Sequence, residues 1–210
     1  MKGPNHITTS VGSVVAIDCG LRVLSEKLGN NWFHVYREFI FRTPGLPDDQ
    51  IIAIAMHVVY FVAFIAAFLL GVLLPDIDQE HSALGRYIHI PVRHRTWTHT
   101  IWFVALFAVP AYFLPFFVWI AYGSLLHIFF DSLSRGGICW FYPISKYKTY
   151  EGGAQIKKKH WLWFYRVGDK SEKVFVIIFT ILVVVGVACS IVFVNPLSLN
   201  ANILHGLSLW

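Results

Sequence analysis

The sequence predicts an all-α polytopic membrane protein, a bundle of apolar helices with a metal site at the membrane interface. Of its 210 residues, 56% are hydrophobic and only 14% are charged, whereas about a quarter of the residues in soluble domains are charged. The mean hydropathy is +0.58. Acidic and histidine side chains collect at the ends of the apolar stretches, where an unpaired charge beside lipid is costly.

The length of the chain predicts one domain, a single membrane-embedded unit over residues 1–210. Its three cysteines have no CxxC spacing, so neither a disulfide framework nor a thiolate metal site is indicated. The first residues lack the charged segment and cleavage site of a signal peptide. We therefore expect the mature protein to begin at Met1.

Four apolar stretches predict five helices. Residues 51–74 are uncharged and would form about 36 Å of helix, enough to cross a hydrocarbon core of about 30 Å. Residues 174–194 form a second uncharged span. Residues 6–24 contain Asp18 and Arg22 and are predicted to form a partly polar helix packed against the others.

The fourth stretch, residues 101–130, is too long for one straight span, since a helix of that length would extend about 45 Å. Two prolines, Pro110 and Pro115, interrupt it, and proline breaks helices. We predict a tight helical hairpin that turns near these prolines, with legs too short to cross the bilayer fully. A hairpin returns residues 127–131 to the membrane face where residues 94–99 lie, whereas a single span would separate them.

Basic residues in the loops predict the orientation. Nine Lys and Arg residues lie between residues 131 and 173, and three more lie between 75 and 100. The opposite loop, residues 30–50, has only Arg37 and Arg42. The face that carries the candidate ligands is therefore predicted to be cytoplasmic.

His127 and Asp131 are the first candidate metal ligands. Four residues apart on a helix, they share one face and can hold one ion or two adjacent ions. A solvated helix end is the alternative, because such pairs are frequent by chance. Burying an unpaired aspartate at the end of an uncharged helix costs several kcal/mol, which favours the ligand interpretation.

Two further clusters precede the hairpin. Asp76 and Asp78 follow a proline, so they are either an ordinary turn or carboxylates that coordinate divalent cations. His94 and His99 do not share a helix face, but they can converge from a loop and a helix start. Arg95 between them is either a phosphate clamp or a positive-inside anchor.

Two polar residues have less support from the sequence alone. His6 is a lone histidine near the start of the chain, and Glu172 precedes the last span, where it would be a carboxylate at a helix N-terminus. Five other histidines lack supporting neighbours and are interpreted as structural or interfacial, namely His34, His57, His89, His160 and His205.

In their order along the chain, these motifs resemble the bacterial YdjM-like family, described as LexA-regulated, membrane-bound metal-dependent hydrolases. The resemblance covers residues from about His6 to Glu172. It rests on His6, Leu73-Leu74-Pro75-Asp76-Ile77-Asp78, Ser82, Leu84-Gly85, His94-Arg95-x-x-Thr98-His99, Gly123-x-x-x-His127-x-x-x-Asp131 and Gly168-x-x-x-Glu172. That family is in turn similar to zinc-dependent phospholipases C and single-strand nucleases of the P1 type, which are helical proteins with a three-zinc centre.

The resemblance implies a phospholipase C-like site with one to three divalent metal ions, zinc being the expected metal. The ligands that it implies are His6, Asp76, Asp78, His94, His99, His127, Asp131 and Glu172. Two departures from the pattern stand out. Thr96 occupies a position where the family usually has glycine. The phospholipase C-like enzymes also use a processed N-terminal amine as a metal ligand, and since this chain begins at Met1, five residues before His6, we expect that ligand to be absent or replaced, which leaves the number of metal ions open.

The function implied is hydrolysis of a phosphoester in a membrane lipid or lipid-linked phosphate by metal-activated water, at the bacterial inner membrane. Asp76 or Asp78 would orient or deprotonate the water and Arg95 would hold the anionic group. No nucleic-acid partner is expected. One alternative is a metal transporter or sensor, whose ligands would lie near mid-bilayer. Another is a scaffold that binds anionic lipid through residues 157–159, which leaves the aspartates unexplained.

Overall fold

A computed structural model describes residues 3–40, 50–88, 90–92, 94–135, 137–144 and 164–193. The described residues form six α-helices and no β-strand, which confirms the all-α prediction. The helices are α1 (Gly3–Leu28), α2 (Trp32–Ile40), α3 (Gln50–Leu73), α4 (Ile101–Ala108), α5 (Phe116–Ser132) and α6 (Lys170–Phe193). Short 3-10 turns lie at Leu74–Asp78, Trp97–His99 and Pro110–Tyr112.

Three segments are long and apolar enough to cross a membrane, namely Gly3–Leu28, Gln50–Asp78 and Lys170–Ala188. Two of them correspond to the spans predicted from hydropathy, and the first corresponds to the helix that was predicted to be partly polar. The first is longer than predicted at both ends. Its buried positions include Thr9, Ser10 and Ser13, so it packs through small polar residues, as the partly polar composition indicated.

Helices α4 and α5 form the predicted hairpin. The turn between them contains Pro110 and Pro115, which lack the N–H that a continuing helix requires. The N–H groups of Phe113 and Leu114 both donate to the Pro110 carbonyl at 3.0 Å, so much of the turn satisfies its own hydrogen bonds. This matters in lipid, where water cannot replace them. With 17 residues, α5 is about 25 Å long, shorter than a core of about 30 Å.

The prediction that residues 30–50 form a loop is wrong for residues 32–40, which form α2. Tyr36 and Ile40 pack against the core between α3 and α5, while Arg37 is exposed on the other side. The Trp119 indole N–H donates to the Ile40 carbonyl at 2.8 Å and ties the end of α2 to α5. The helical spacing of these apolar residues was the signal that was missed.

Helices α3 and α5 approach to backbone contact at two glycines. A Cβ atom on Gly71 would lie 2.2 Å from the Ile120 carbonyl oxygen, and one on Gly123 would lie 2.4 Å from the Phe68 carbonyl oxygen. The Ser124 hydroxyl also donates to the Gly71 carbonyl at 3.0 Å. Small residues at such contacts are the usual means of close helix packing in membranes.

The N-termini of α1 and α6 meet the C-termini of α3 and α5 at one end of the bundle, which we call the site end. Asn5 in the first turn of α1 donates to Glu172 in the first turn of α6 at 2.7 Å. His6 lies 3.2 Å from Asp131 near the end of α5. The hairpin also begins here, so the ligand motifs share one end of the fold as predicted.

Candidate metal centre

Five buried side chains converge at the site end, and we call them the inner group: His6, Asp76, His99, His127 and Asp131. They come from the start of α1, from the 3-10 turn after α3, from the 3-10 turn before α4, and from the last turns of α5. Taken as whole residues, none of the five is more than 9% exposed. Four separate segments of the chain thus contribute to one enclosed cluster.

Each imidazole of the inner group faces a carboxylate. The Nε2 atom of His6 lies 3.2 Å from Asp131 Oδ1, and that of His127 lies 3.5 Å from Asp76 Oδ1. His99 Nε2 is 3.6 Å from an oxygen of each aspartate. Yet none of these three nitrogens makes a hydrogen bond to any residue that the structure describes.

This donor set fits a divalent cation. Buried polar atoms almost always have hydrogen-bond partners, so three such nitrogens beside carboxylates call for a partner of another kind. Imidazole nitrogen together with carboxylate oxygen suits zinc and similar cations. His6, His127 and Asp131 offer ligand atoms within 4.8 Å of one another, and so do Asp76, His94 and His99.

Hydrogen bonds on the opposite ring nitrogen orient two of the imidazoles. His127 Nδ1–H donates to the Val72 carbonyl at 2.7 Å, which leaves the Nε2 lone pair directed at Asp76. His99 Nδ1 lies 3.0 Å from the Thr98 hydroxyl oxygen, whose own O–H donates to Asp78 at 2.7 Å. Metal-binding histidines generally have such an outer partner, which fixes their tautomer and ring orientation.

Asp78 and His94 form a different arrangement beside the inner group, which we call the outer pair. His94 Nδ1–H donates to Asp78 Oδ1 at 2.8 Å, and His94 Nε2 accepts from the Gln79 amide at 3.0 Å. The Thr98 hydroxyl takes the second oxygen of Asp78. Every nitrogen and carboxylate oxygen of the outer pair therefore has a protein partner. That both are metal ligands stays a prediction.

Arg95 lies against the inner group. Its guanidinium is 3.3 Å from Asp131 Oδ2, and it donates to the Ser134 hydroxyl at 3.4 Å and to the Gly137 carbonyl at 3.3 Å. Its backbone has φ +62°, in the left-handed region that residues with a Cβ rarely adopt. Neither interpretation of Arg95 from the sequence anticipated this contact with Asp131.

Glu172 is buried beside the inner group. Its carboxylate accepts from the Asn5 amide and from the Gly168 N–H, both at 2.7 Å. These bonds join the N-termini of α1 and α6 next to His6. The role of Glu172 as a ligand stays a prediction, whereas its predicted position at a helix N-terminus is confirmed.

The electrostatics of the cluster favour a cation. The inner group and the outer pair contain three buried carboxylates, those of Asp76, Asp78 and Asp131, and the one guanidinium among the cluster residues named above, that of Arg95, lies against Asp131. Although burial lowers the pKa of the His99 imidazole, the carboxylates of Asp131 and Asp76 outweigh that effect and raise it above its ordinary value. The cluster therefore attracts positive charge, as a proton or as a metal ion.

Several supporting polar residues were not singled out from the sequence. Thr98 appeared in the motif without a role, and it now links Asp78 to His99. Gln79 directly follows the two aspartates, and its amide donates to Asp76 at 2.7 Å as well as to His94. The only signals in the sequence were the position of Thr98 within one motif and that of Gln79 directly after another.

Comparison with known proteins identifies a family. Residues 47–196 match the family model described as YdjM inner membrane protein. The match includes all the candidate ligands except His6, although the resemblance was drawn from about that residue. No curated protein and no solved structure matches the chain. The similarity to phospholipases C therefore stays a prediction.

Proposed function

This chain belongs to the YdjM inner membrane protein family, and we propose that it is a membrane-bound, metal-dependent hydrolase. The observation that carries the proposal is the set of three buried Nε2 atoms beside carboxylates, without a hydrogen bond among the described residues. One or more divalent cations would satisfy the three nitrogens and balance the excess of carboxylates.

Zinc is the metal that we propose, in one to three ions, because magnesium and calcium prefer sites made only of oxygen atoms. His6, His127 and Asp131 would hold one ion, and Asp76 with His99 would hold another. When bound, such ions lower the pKa of a water molecule towards neutrality and clamp the oxygens of a phosphoester.

Asp76 is better placed than Asp78 to orient or deprotonate the attacking water. Both oxygens of Asp78 have hydrogen-bond partners and its side chain is fully buried, whereas that of Asp76 is 12% exposed. The contacts of Asp76 are all to Oδ1, so within the described ranges Oδ2 has no hydrogen bond or ion pair. Asp78 would act through His94 and His99 by holding their rings in place.

Arg95 would balance the charge of Asp131 in the resting site. We also propose that its guanidinium holds the phosphate of the substrate. The substrate that we propose is a phosphoester of a lipid or a lipid-linked phosphate. The support is positional, because the ligands lie at the ends of the membrane-crossing segments, where a headgroup would lie.

The face of the membrane that we propose for the site is cytoplasmic, on the evidence of the basic loops. Five of the lysines used for that inference, including Lys158, lie outside the described residues, as does Asp48 on the opposite loop. In intact cells, an impermeant thiol reagent should label Asp48→Cys and spare Lys158→Cys. The reverse pattern would place the site on the outer face.

The proposed function is tested by metal analysis of the detergent-purified protein, combined with a phosphodiesterase screen on lipids. We expect at least one zinc per chain and metal-dependent hydrolysis. Both should be lost in His127→Ala and kept in His34→Ala, a control histidine whose side chain is exposed. Absence of metal would overturn the proposal. Bound metal without hydrolysis of any phosphoester would favour a transporter or sensor.

A further inference from the structure

The loops at the site end carry an apolar surface that neither the helix core nor the metal centre uses. Residues 79–100 and 138–144 lie outside the three segments that can cross a membrane. Tyr87 is 78% exposed, Ile88 66%, Trp97 51% and Ile144 75%. We call the exposed apolar side chains of these two loops the rim surface: Tyr87, Ile88, Ile90, Trp97, Phe141 and Ile144.

The rim surface is held next to the inner group. The Ile90 N–H donates to the carbonyl of Ile77, the residue between the two aspartates. The Trp97 ring packs edge-on against the Tyr142 ring, with centroids 5.4 Å apart, and this contact joins the two loops. Trp97 itself begins the 3-10 turn that ends at His99. Through Ile90 and Trp97, the two loops are thus tied to the segments that carry Asp76, Asp78 and His99.

The composition of the rim surface is that of a membrane interface. Trp and Tyr are enriched where lipid headgroups meet the hydrocarbon, and contiguous exposed apolar patches mark interaction surfaces. The Arg86 guanidinium lies 5.1 Å from the centre of the Tyr87 ring, which pairs a cation with an aromatic ring as interfacial anchors do. Isolated exposed apolar side chains are common on any protein surface, whereas these two loops carry six of them.

The rim surface also continues the apolar exterior of the bundle. Trp102 and Leu106 on α4 are exposed in the part of the chain that would face lipid, and Trp102 follows Trp97 by five residues. On the other side, residues 79–88 follow directly from the end of the span Gln50–Asp78. From the length of that span, we expect the loops to leave the bundle near the depth where the hydrocarbon ends.

We propose that the rim surface is embedded in the interfacial layer of the membrane that the chain spans, so that the metal centre opens at headgroup depth. This inference rests on the proposed function and specifies its substrate class. The substrate is an amphiphile that stays in the leaflet and enters laterally, and water-soluble phosphoesters are poor substrates. The occupant of the surface is lipid, not another segment of protein.

Fluorescence quenching of the full-length protein in phosphatidylethanolamine and phosphatidylglycerol vesicles tests the location. A single environment-sensitive label is attached to Ile88→Cys or Ile144→Cys, with the three native cysteines replaced. We expect nitroxide-bearing lipids to quench both labels several-fold more than aqueous iodide does. His81→Cys, an exposed position in the same loop, is the control and should be quenched by iodide.

Two outcomes of that experiment would overturn the proposal. Iodide quenching at position 88 equal to that at position 81 would place the rim surface in water. Labels that neither quencher reaches would show that a second copy or another segment of the chain covers it. Neither reading depends on enzyme activity, so the location is decided even if the proposed function fails.

A kinetic comparison tests the substrate class. For dioleoyl phosphatidylglycerol in vesicles, Ile88→Ser/Ile144→Ser should raise the apparent KM several-fold and leave kcat unchanged. Its turnover of the short-chain, monomeric dibutyryl analogue should match the unsubstituted protein. An equal loss on both substrates would overturn the lateral-entry inference. If the unsubstituted protein hydrolysed neither substrate, the inference about substrate class would be overturned. The proposal that the protein hydrolyses this lipid would be overturned with it.

Discussion

The inner group and the outer pair use the same residue types, yet their polar atoms are satisfied in different ways. In the outer pair, His94 and Asp78 hydrogen-bond to each other, and Gln79 and Thr98 take their remaining atoms. In the inner group, the Nε2 atoms of His6 and His127 lie farther from carboxylate oxygens, at 3.2 and 3.5 Å against 2.8 Å between His94 and Asp78, and make no hydrogen bond among the described residues. Hydrogen-bond satisfaction therefore distinguishes the candidate ligands of the inner group from the outer pair.

The two arrangements also differ in what holds them. His127 is placed by helix packing, because backbone contact at Gly71 and Gly123 brings the end of α3 against α5. His94 is placed by side chains of a loop and remains 34% exposed. We therefore expect metal binding to depend on helix packing and catalysis to depend on the loop, which the following changes test.

Asp131→Asn should have the largest effect. The change keeps the shape of the side chain but removes the charge that faces His6, His99 and Arg95. Ligands of one centre act as a unit, so metal content should fall to background and hydrolysis should drop by at least about 100-fold. Asp169→Asn, at an exposed position before α6, should change neither quantity. If the zinc content of Asp131→Asn were unchanged, the inner group could not be the metal site.

Gly123→Ala should weaken the inner group without touching a ligand. The added methyl would meet the Phe68 carbonyl, and forcing α3 away from α5 should cost about 1–3 kcal/mol of stability. Thermal unfolding in detergent measures the loss, and zinc titration should show weaker binding because Asp76 and His127 separate. Gly186→Ala on α6 has nothing within 4 Å of the new methyl and serves as control. Equal melting of the two variants would argue against helix packing as the support of the site.

Asp78→Asn should have an intermediate effect that separates the outer pair from the inner group. Because Asp78 acts through His94 and Thr98, the variant should keep its zinc and lose about 10- to 100-fold in kcat. Thr98→Val should behave similarly, while Thr98→Ser keeps the hydroxyl and should be close to unsubstituted protein. If Asp78→Asn lost its metal as completely as Asp131→Asn, Asp78 would be a ligand, as the sequence predicted. The outer pair would then belong to the same metal centre as the inner group.

Neutralising Lys157, Lys158 and Lys159 should have the smallest effect on the site. These residues lie outside the described part of the chain. Near an anionic membrane surface, each lysine contributes about 1 kcal/mol to the association with lipid. Binding of anionic lipid by the purified full-length protein should therefore fall, while zinc content and kcat persist. If this triple change abolished all function and Asp131→Asn were silent, the scaffold interpretation would be favoured.

Local rules predicted much of this architecture from the sequence. Uncharged stretches of sufficient length predicted the membrane-crossing helices, and Pro110 and Pro115 predicted the hairpin, because hydropathy and a missing N–H act over a few residues. The same rules could have found α2, whose apolar residues recur at helical spacing. The convergence of the ligand motifs followed from the hairpin, and the structure bears it out.

By itself, the sequence determined the long apolar helices, the turn at the prolines and the end of the bundle at which the candidate ligands lie. The tertiary structure alone decided which atoms face each other: Arg95 against Asp131, Thr98 between Asp78 and His99, and the Val72 carbonyl behind His127. The physical reason is that these pairings depend on the spacing and rotation of packed helices. Backbone contact at Gly71 and Gly123 sets that geometry, and the contact joins residues far apart in the chain, beyond the reach of any local pattern.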